Sequence, residues 1–153
     1  MDTLSPAQRS VRMERIKGED TQPEMMVRRM VHGMGYRFRL HRRNLPGCPD
    51  LCFPSSHKVI FVHGCYWHRH KCKLGRLPKS RVDFWRPKLE ANRVRDIQHR
   101  RELRRLGWQV LVVWECELVQ KEQVGNKIVA FLEKELDASN RVIRRGWRPR
   151  HRR

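Results

Sequence analysis

The apolar positions of this chain change period several times between Gln22 and Leu136. From Gln22 to His32, Met26, Val27, Met30 and Val31 fall on one face at helical spacing, which predicts an amphipathic helix. Thr21-Gln22-Pro23-Glu24 reads as its capping box: the Thr hydroxyl and the Glu carboxylate can each satisfy a free helix N–H, and Pro is tolerated in the first turn. Gly33 and Gly35 end the helix. Tyr36 to Leu40 alternates apolar and basic residues, as a half-buried strand does. Leu45 to Pro49 holds two prolines and a glycine and is a turn. Asp50 then opens a second strand, Leu51-Cys52-Phe53. Lys58 to Val62 is a third, apolar from Val59 onward and therefore central.

A long helix begins at Asp83 or Pro87 and runs to Leu106, with Leu89, Ile97, Leu103 and Leu106 as a thin apolar stripe. Gly107 stops it. Gln109 to Trp114 is another buried strand, and Lys121 to Leu136 a final amphipathic helix with Val124, Ile128, Phe131 and Leu132 inward. This order of elements predicts an α/β sheet covered by helices, and 153 residues suit a single domain.

Charge changes the picture. The chain carries 35 Lys+Arg against 16 Asp+Glu, a formal net charge of +19. Such a field attracts polyanions, nucleic acid first and an anionic membrane surface second. No run is long and apolar enough to span a bilayer, and the N-terminus lacks the apolar core of a signal peptide. The expectation is a soluble, intracellular protein. Between Ser5 and Lys17 the only larger apolar groups are Val11, Met13 and Ile16, so composition makes residues 1–20 a poorly ordered basic arm. The chain ends in a second basic segment.

Candidate chemistry is concentrated in Val59 to Cys72, a strand that runs into histidines, cysteines and aromatics. Cys65, His70 and Cys72 form C-x4-H-x-C. Cys116 lies just past the strand Gln109 to Trp114. If that strand pairs in parallel beside Lys58 to Val62, Cys116 completes a Cys3His tetrahedron. Three thiolates and an imidazole suit Zn²⁺, and four protein ligands leave no open position, so the site is structural. Cys48 and Cys52 lack such company.

Asp50 stands at a strand start after a Pro-Gly turn, where a carboxylate can hold Mg²⁺. His63 ends the neighbouring strand, and His68 lies in the stapled loop, free of zinc if His70 is the ligand. A histidine there can take a proton from an attacking water or give one to a leaving oxygen. Tyr66, Trp67 and Trp85 are placed to wedge between base pairs. Core packing is the plainer account of Trp67 and Trp85, and the sufficient one for Trp108 and Trp114; core or tail packing suffices for Trp147.

These residues resemble the very short patch repair (Vsr-type) mismatch endonucleases over about residues 5–136. The resemblance rests on Leu45-Pro46-Gly47-x-Pro49-Asp50, on the whole of Val59 to Cys72, on Phe84-Trp85 and on Leu106 to Cys116. It implies a restriction-endonuclease-like mixed sheet flanked by helices, with a structural zinc. It implies an enzyme that nicks one strand of duplex DNA 5′ to the thymine of a T:G mismatch, using Mg²⁺.

By resemblance, Asp50 and the backbone carbonyl of Val62 hold Mg²⁺. His68 is the general base with Asp96 as its partner, His63 meets the scissile or leaving phosphate, and Glu24 is an accessory acid. Tyr66, Trp67 and Trp85 intercalate, and Met13 and Ile16 enter the minor groove from the arm. Cys48 stands where the family pattern has Arg, and Tyr66 where it has Phe. The implied division is a DNA-binding arm over residues 1–20, a catalytic domain over 21–136 and a basic tail over 137–153. The implied setting is the bacterial cytoplasm at the nucleoid, as a monomer, with mismatch-repair proteins as candidate partners. The competing expectations are a restriction-type endonuclease blind to mismatches and a zinc-stapled DNA binder without catalysis.

Overall fold

The computed structural model describes residues 5–14 and 18–135. In chain order it contains α1 (Pro6–Glu14), α2 (Gln22–Gly33), β1 (Arg39–Leu40), β2 (Leu51–Phe53), β3 (Lys58–His63), α3 (Val82–Arg105), β4 (Gln109–Trp114) and α4 (Lys121–Glu133). Short 3-10 turns follow β2, β4 and the cysteine-histidine loop. No helix among the described residues is long and apolar enough to cross a membrane.

The four strands form one mixed sheet in the order β1-β2-β3-β4. β2 pairs antiparallel with β1 and β3, while β4 runs parallel to β3 with His63 opposite Trp114. β3 is buried along its whole length, which explains its unbroken apolar run. Its side chains alternate between two cores, as strand geometry requires. Ile60 and Val62 join Leu51, Phe53 and Val113 against Val27 and Val31 of α2 and Val124 and Ile128 of α4. Val59 and Phe61 join Leu45, Cys52 and Trp108 against Leu103 of α3 on the opposite face. Each fully buried aliphatic side chain of this kind contributes about 1.5–3 kcal/mol.

Several boundaries depart from the sequence expectation. β1 covers only two residues, both exposed, although Tyr36 and Phe38 before it still pack on the first core. β4 is an edge strand, so most of it is half-buried rather than buried. The arm contains a helix, α1, where a poorly ordered segment was expected. The capping box is half formed. Thr21 Oγ1 accepts the Glu24 N–H at 3.4 Å, but the Glu24 carboxylate accepts from Asp20 N at 3.0 Å, one residue ahead of the cap.

Lys58 opens β3 yet is 2 % exposed. Its ammonium donates to the carbonyls of Leu132 and Lys134 at 2.6 Å each, closing the end of α4 with a cation where the helix dipole favours one. Burial nevertheless pulls its pKa down, with Glu133 opposing that shift and Lys134 adding to it.

Candidate active site

The parallel pairing of β3 and β4 sets two chain exits side by side. Two residues past the His63–Trp114 pair lie Cys65 and Cys116. Cys65, His70, Cys72 and Cys116 bring their donor atoms within 4.8 Å of one another. His70 Nδ1 lies 3.6 Å from Cys65 Sγ and 3.4 Å from Cys116 Sγ. A tetrahedral Zn²⁺ site with ordinary bond lengths has N···S edges of about 3.5 Å, so the donor set and spacing fit that ion. The Cys116 N–H donates to Cys65 Sγ at 3.4 Å, and Glu115 Oε2 accepts the Cys65 N–H at 3.2 Å. Burial pushes the Cys65 thiol up to about 12, so a thiolate there calls for a cation beside it. Gly75 passes so close to this loop that a Cβ would stand 1.9 Å from the His70 carbonyl oxygen. Only glycine fits.

On the other side of the loop, the turn before β2 delivers Asp50 to β3. Asp50 Oδ2 accepts the Val62 N–H at 2.7 Å. Burial raises the Asp50 pKa to about 6, with Glu24 adding to the rise, while the Val62 N–H and the charges of His41 and His68 oppose it. A carboxylate in that position gains from a divalent cation. Asp50 shares a cavity of about 410 Å³ with Glu24, Val62, Trp67 and His68. Asp50 and Val62, which line that cavity together, suit Mg²⁺ by donor type, since it takes carboxylate and carbonyl oxygens and keeps several waters.

His63 closes β3 and is 6 % exposed. Its ring lies flat on that of His68, centroids 3.8 Å apart and planes 3° apart. His68 Nδ1 stands 2.5 Å from Asp96 Oδ2 on α3. An ionised Asp96 fixes the proton on Nδ1 and leaves Nε2 to accept one. Burial, then the charge of His68, lowers the His63 pKa to about 3, with Arg100 adding to the fall and Asp96 opposing it. The neutral form of His63 is therefore favoured.

Glu24 is 1 % exposed in the cavity wall. Its carboxylate accepts from Arg28 and lies 2.6 Å from His41 Nε2. Asp20, Glu24 and His41 form an acidic cluster, but the Arg28 guanidinium already occupies it. Tyr66, Trp67 and Trp85 are half-buried and pack on one another with centroids 5.0–6.0 Å apart, so they form a surface cluster outside both cores. Asn92 donates to the Trp67 carbonyl at 3.1 Å. Met13 falls within α1, its side chain outside the described residues, and Ile16 lies outside them altogether.

The sequence profile of the family described as DNA mismatch endonuclease Vsr matches residues 1–74. The Type II nicking enzyme V.XorIIP of Xanthomonas oryzae pv. oryzae is 55 % identical over 117 residues, 76 % of this chain and 86 % of that protein. The chain belongs to the Vsr family. The DNA mismatch endonuclease Vsr of Escherichia coli is 40 % identical over 126 residues, 82 % of this chain and 81 % of its own. The Type II nicking enzyme V.NmeAIP of Neisseria meningitidis is 40 % identical over 120 residues, 78 % of this chain and 86 % of its own.

Within this Vsr-family chain, sequence reasoning missed several groups around the site. Arg28 was findable one helical turn after Glu24 on α2, whereas His41 reaches Glu24 only through the tertiary fold. Asn92 was findable once Asp96 was named, because it lies one helical turn earlier on the same face. Trp114 was assigned to core packing; it is half-buried instead and stacks on His70 at 4.2 Å.

Proposed function

We propose that this chain, a DNA endonuclease, nicks one strand of duplex DNA 5′ to the thymine of a T:G mismatch by Mg²⁺-dependent hydrolysis. The observation that carries this is His68, held between Asp96 and His63 at the rim of the cavity that Asp50 lines. Asp50 and the Val62 carbonyl would hold Mg²⁺, which when bound polarises the phosphoryl group and acidifies a water. His68 accepts the proton of the attacking water on Nε2, and Asp96 stabilises the resulting imidazolium. The bond from phosphorus to the 3′ oxygen breaks, and that oxygen takes a proton from solvent. Neutral His63 serves as a hydrogen-bond partner of the phosphate. Glu24 acts as an accessory acid through the wall it shares with Asp50.

The remaining assignments follow the same reading. Zn²⁺ on Cys65, His70, Cys72 and Cys116 staples the loop. Tyr66, Trp67 and Trp85 form the wedge, since a weakly paired step costs less to unstack. Met13 and Ile16 of the arm enter the minor groove. The sheet is the core of a restriction-endonuclease-like domain over residues 21–136, flanked by a basic arm and tail that contact phosphate. One copy suffices for one nick, and mismatch-repair proteins act downstream at the nucleoid.

The test is cleavage of a labelled duplex, with and without one T:G pair, in Mg²⁺ or EDTA, beside Asp50→Ala. Mismatch- and Mg²⁺-dependent nicking 5′ to the T, lost in Asp50→Ala, is the expected result. Equal cutting of perfect duplex would replace it with a restriction-type enzyme. Salt-sensitive binding with no cutting in several sequence contexts would replace it with a non-catalytic binder.

A further inference from the structure

We infer that Trp114 is a positioning residue that sets the plane of His68 from the cysteine-histidine cluster through a continuous chain of ring contacts. The inference rests on the reading of His68 as general base. His70, whose Nδ1 faces the cluster, stacks on Trp114 at 4.2 Å and 14°. The Trp114 ring meets His63 at 5.3 Å and 70°. His63 lies flat on His68, and Asp96 holds Nδ1 of His68.

His68 needs such help. It belongs to a loop with no strand partner, held by turn hydrogen bonds such as His68 N to Gly64 O at 3.2 Å and His70 N to Cys65 O at 3.0 Å. Arg69 between the two histidines takes φ 53°, a left-handed turn within the loop. The hydrogen bond to Asp96 fixes one nitrogen but leaves the ring free to tilt about that contact. The flat contact with His63 removes the tilt. His63 Nδ1 in turn is buried without a hydrogen-bond partner among the described residues, so ring packing orients it. Trp114 supplies that packing from a fixed place. It is the last residue of β4, in register with His63, and its backbone N–H donates to Glu117 Oε2 at 2.8 Å. A base must be held within about 10–20° of its productive plane, and a misplacement near 1 Å can cost about 100-fold in rate.

The experiment compares wild type with Trp114→Phe, which keeps a ring, and Trp114→Leu, which keeps only apolar bulk. Single-turnover nicking at saturating T:G duplex is measured beside duplex Kd, zinc content and thermal midpoint. The imidazole NMR signal of His68 is followed in each, identified by its loss in His68→Gln. The expected result is a tenfold or greater rate loss in Trp114→Leu, an approximate value for partial misplacement. Zinc content and duplex Kd stay unchanged, the His68 signal shifts, and Trp114→Phe restores both rate and signal. An unshifted signal and wild-type rate in folded, zinc-loaded Trp114→Leu would overturn the inference. So would parallel loss of zinc, stability and rate in both variants, which would reduce Trp114 to a packing role. If wild type nicks no duplex, the functional reading fails, while the His68 signal still decides the ring coupling.

Discussion

The Asp96 carboxylate lies 2.5 Å from His68 Nδ1, one turn of α3 beyond Asn92, whose amide donates to the Trp67 carbonyl at 3.1 Å. One helix thus grips both the aromatic cluster and the histidine that follows it. Asp96→Asn keeps the shape but can present an N–H to His68 and favour the wrong tautomer. Single-turnover nicking should fall about 10²–10⁴-fold, the usual worth of a positioned base. Duplex Kd should stay within about threefold, since Asp96 is not charged with holding DNA. A rate near wild type would remove His68 from the proposed role.

Trp67 and Trp85 touch each other at 6.0 Å and belong to neither core cluster. Replacing either by Ala should therefore cost little stability and much recognition. One lost base–aromatic stack is worth about 1–3 kcal/mol, so affinity for T:G duplex should drop about 5–150-fold. Binding to perfect duplex, where the wedge is not inserted, should move far less. Titrations of the two duplexes decide it, and equal losses on both would dismiss the wedge.

Gly75→Ala would place a methyl carbon 1.9 Å from the His70 carbonyl oxygen, a backbone atom that cannot rotate away. The turn carrying His70 and Cys72 must open. The expected outcome is chain that retains less than one equivalent of zinc in a chelator-competition assay and melts earlier. A variant with full zinc content would mean that the loop is looser than its geometry shows.

Lys58→Met tests a buried cation. It removes two hydrogen bonds to the end of α4, at about 1.5–3 kcal/mol for bonds to a charged group, less the desolvation relieved. The sign with pH follows from the lowered pKa. Below the folded pKa, Lys58 is charged in both states; between the folded value and the unfolded 10.5, the unfolded chain binds the extra proton. Wild-type stability should therefore rise relative to Lys58→Met as pH climbs toward 10.5. A difference in thermal midpoint that stays flat over that alkaline window would show that the hydrogen bonds cancel the burial.

Local signals carried far in this chain. Period and caps located α2, β2, β3 and β4 to within a residue or two, because each has an apolar pattern that suits one element and a Gly, Pro or Thr at its end; α3 starts at Val82, beside the Asp83 alternative and five residues before Pro87. Gly107, at φ 84°, stopped α3 as expected. The cysteine spacing was legible for the same reason: three donors on one short loop need little help from the fold. β1 was overextended because Tyr36 and Phe38 alternate like a strand yet pack half-buried on the first core without pairing. α4 was placed correctly on its inward face, but it ends at Glu133, short of the expected Leu136, because Lys134 turns to extended backbone at φ −63° and ψ 126°.

Sequence by itself determined the two-sided burial of β3, the basic character of the chain, and which residue types were available as ligands, bases and wedges. Those are properties of single residues and their near neighbours. Tertiary structure decided which of them meet. The register of β4 on β3 put Cys116 beside Cys65 and Trp114 between His70 and His63. The path of α3 carried Asp96 to His68 across 28 positions of sequence. His41 closed on Glu24, and Lys58 on the end of α4, for the same reason. Contacts between elements depend on strand order and helix placement, which the packing of the whole core fixes and no local pattern encodes.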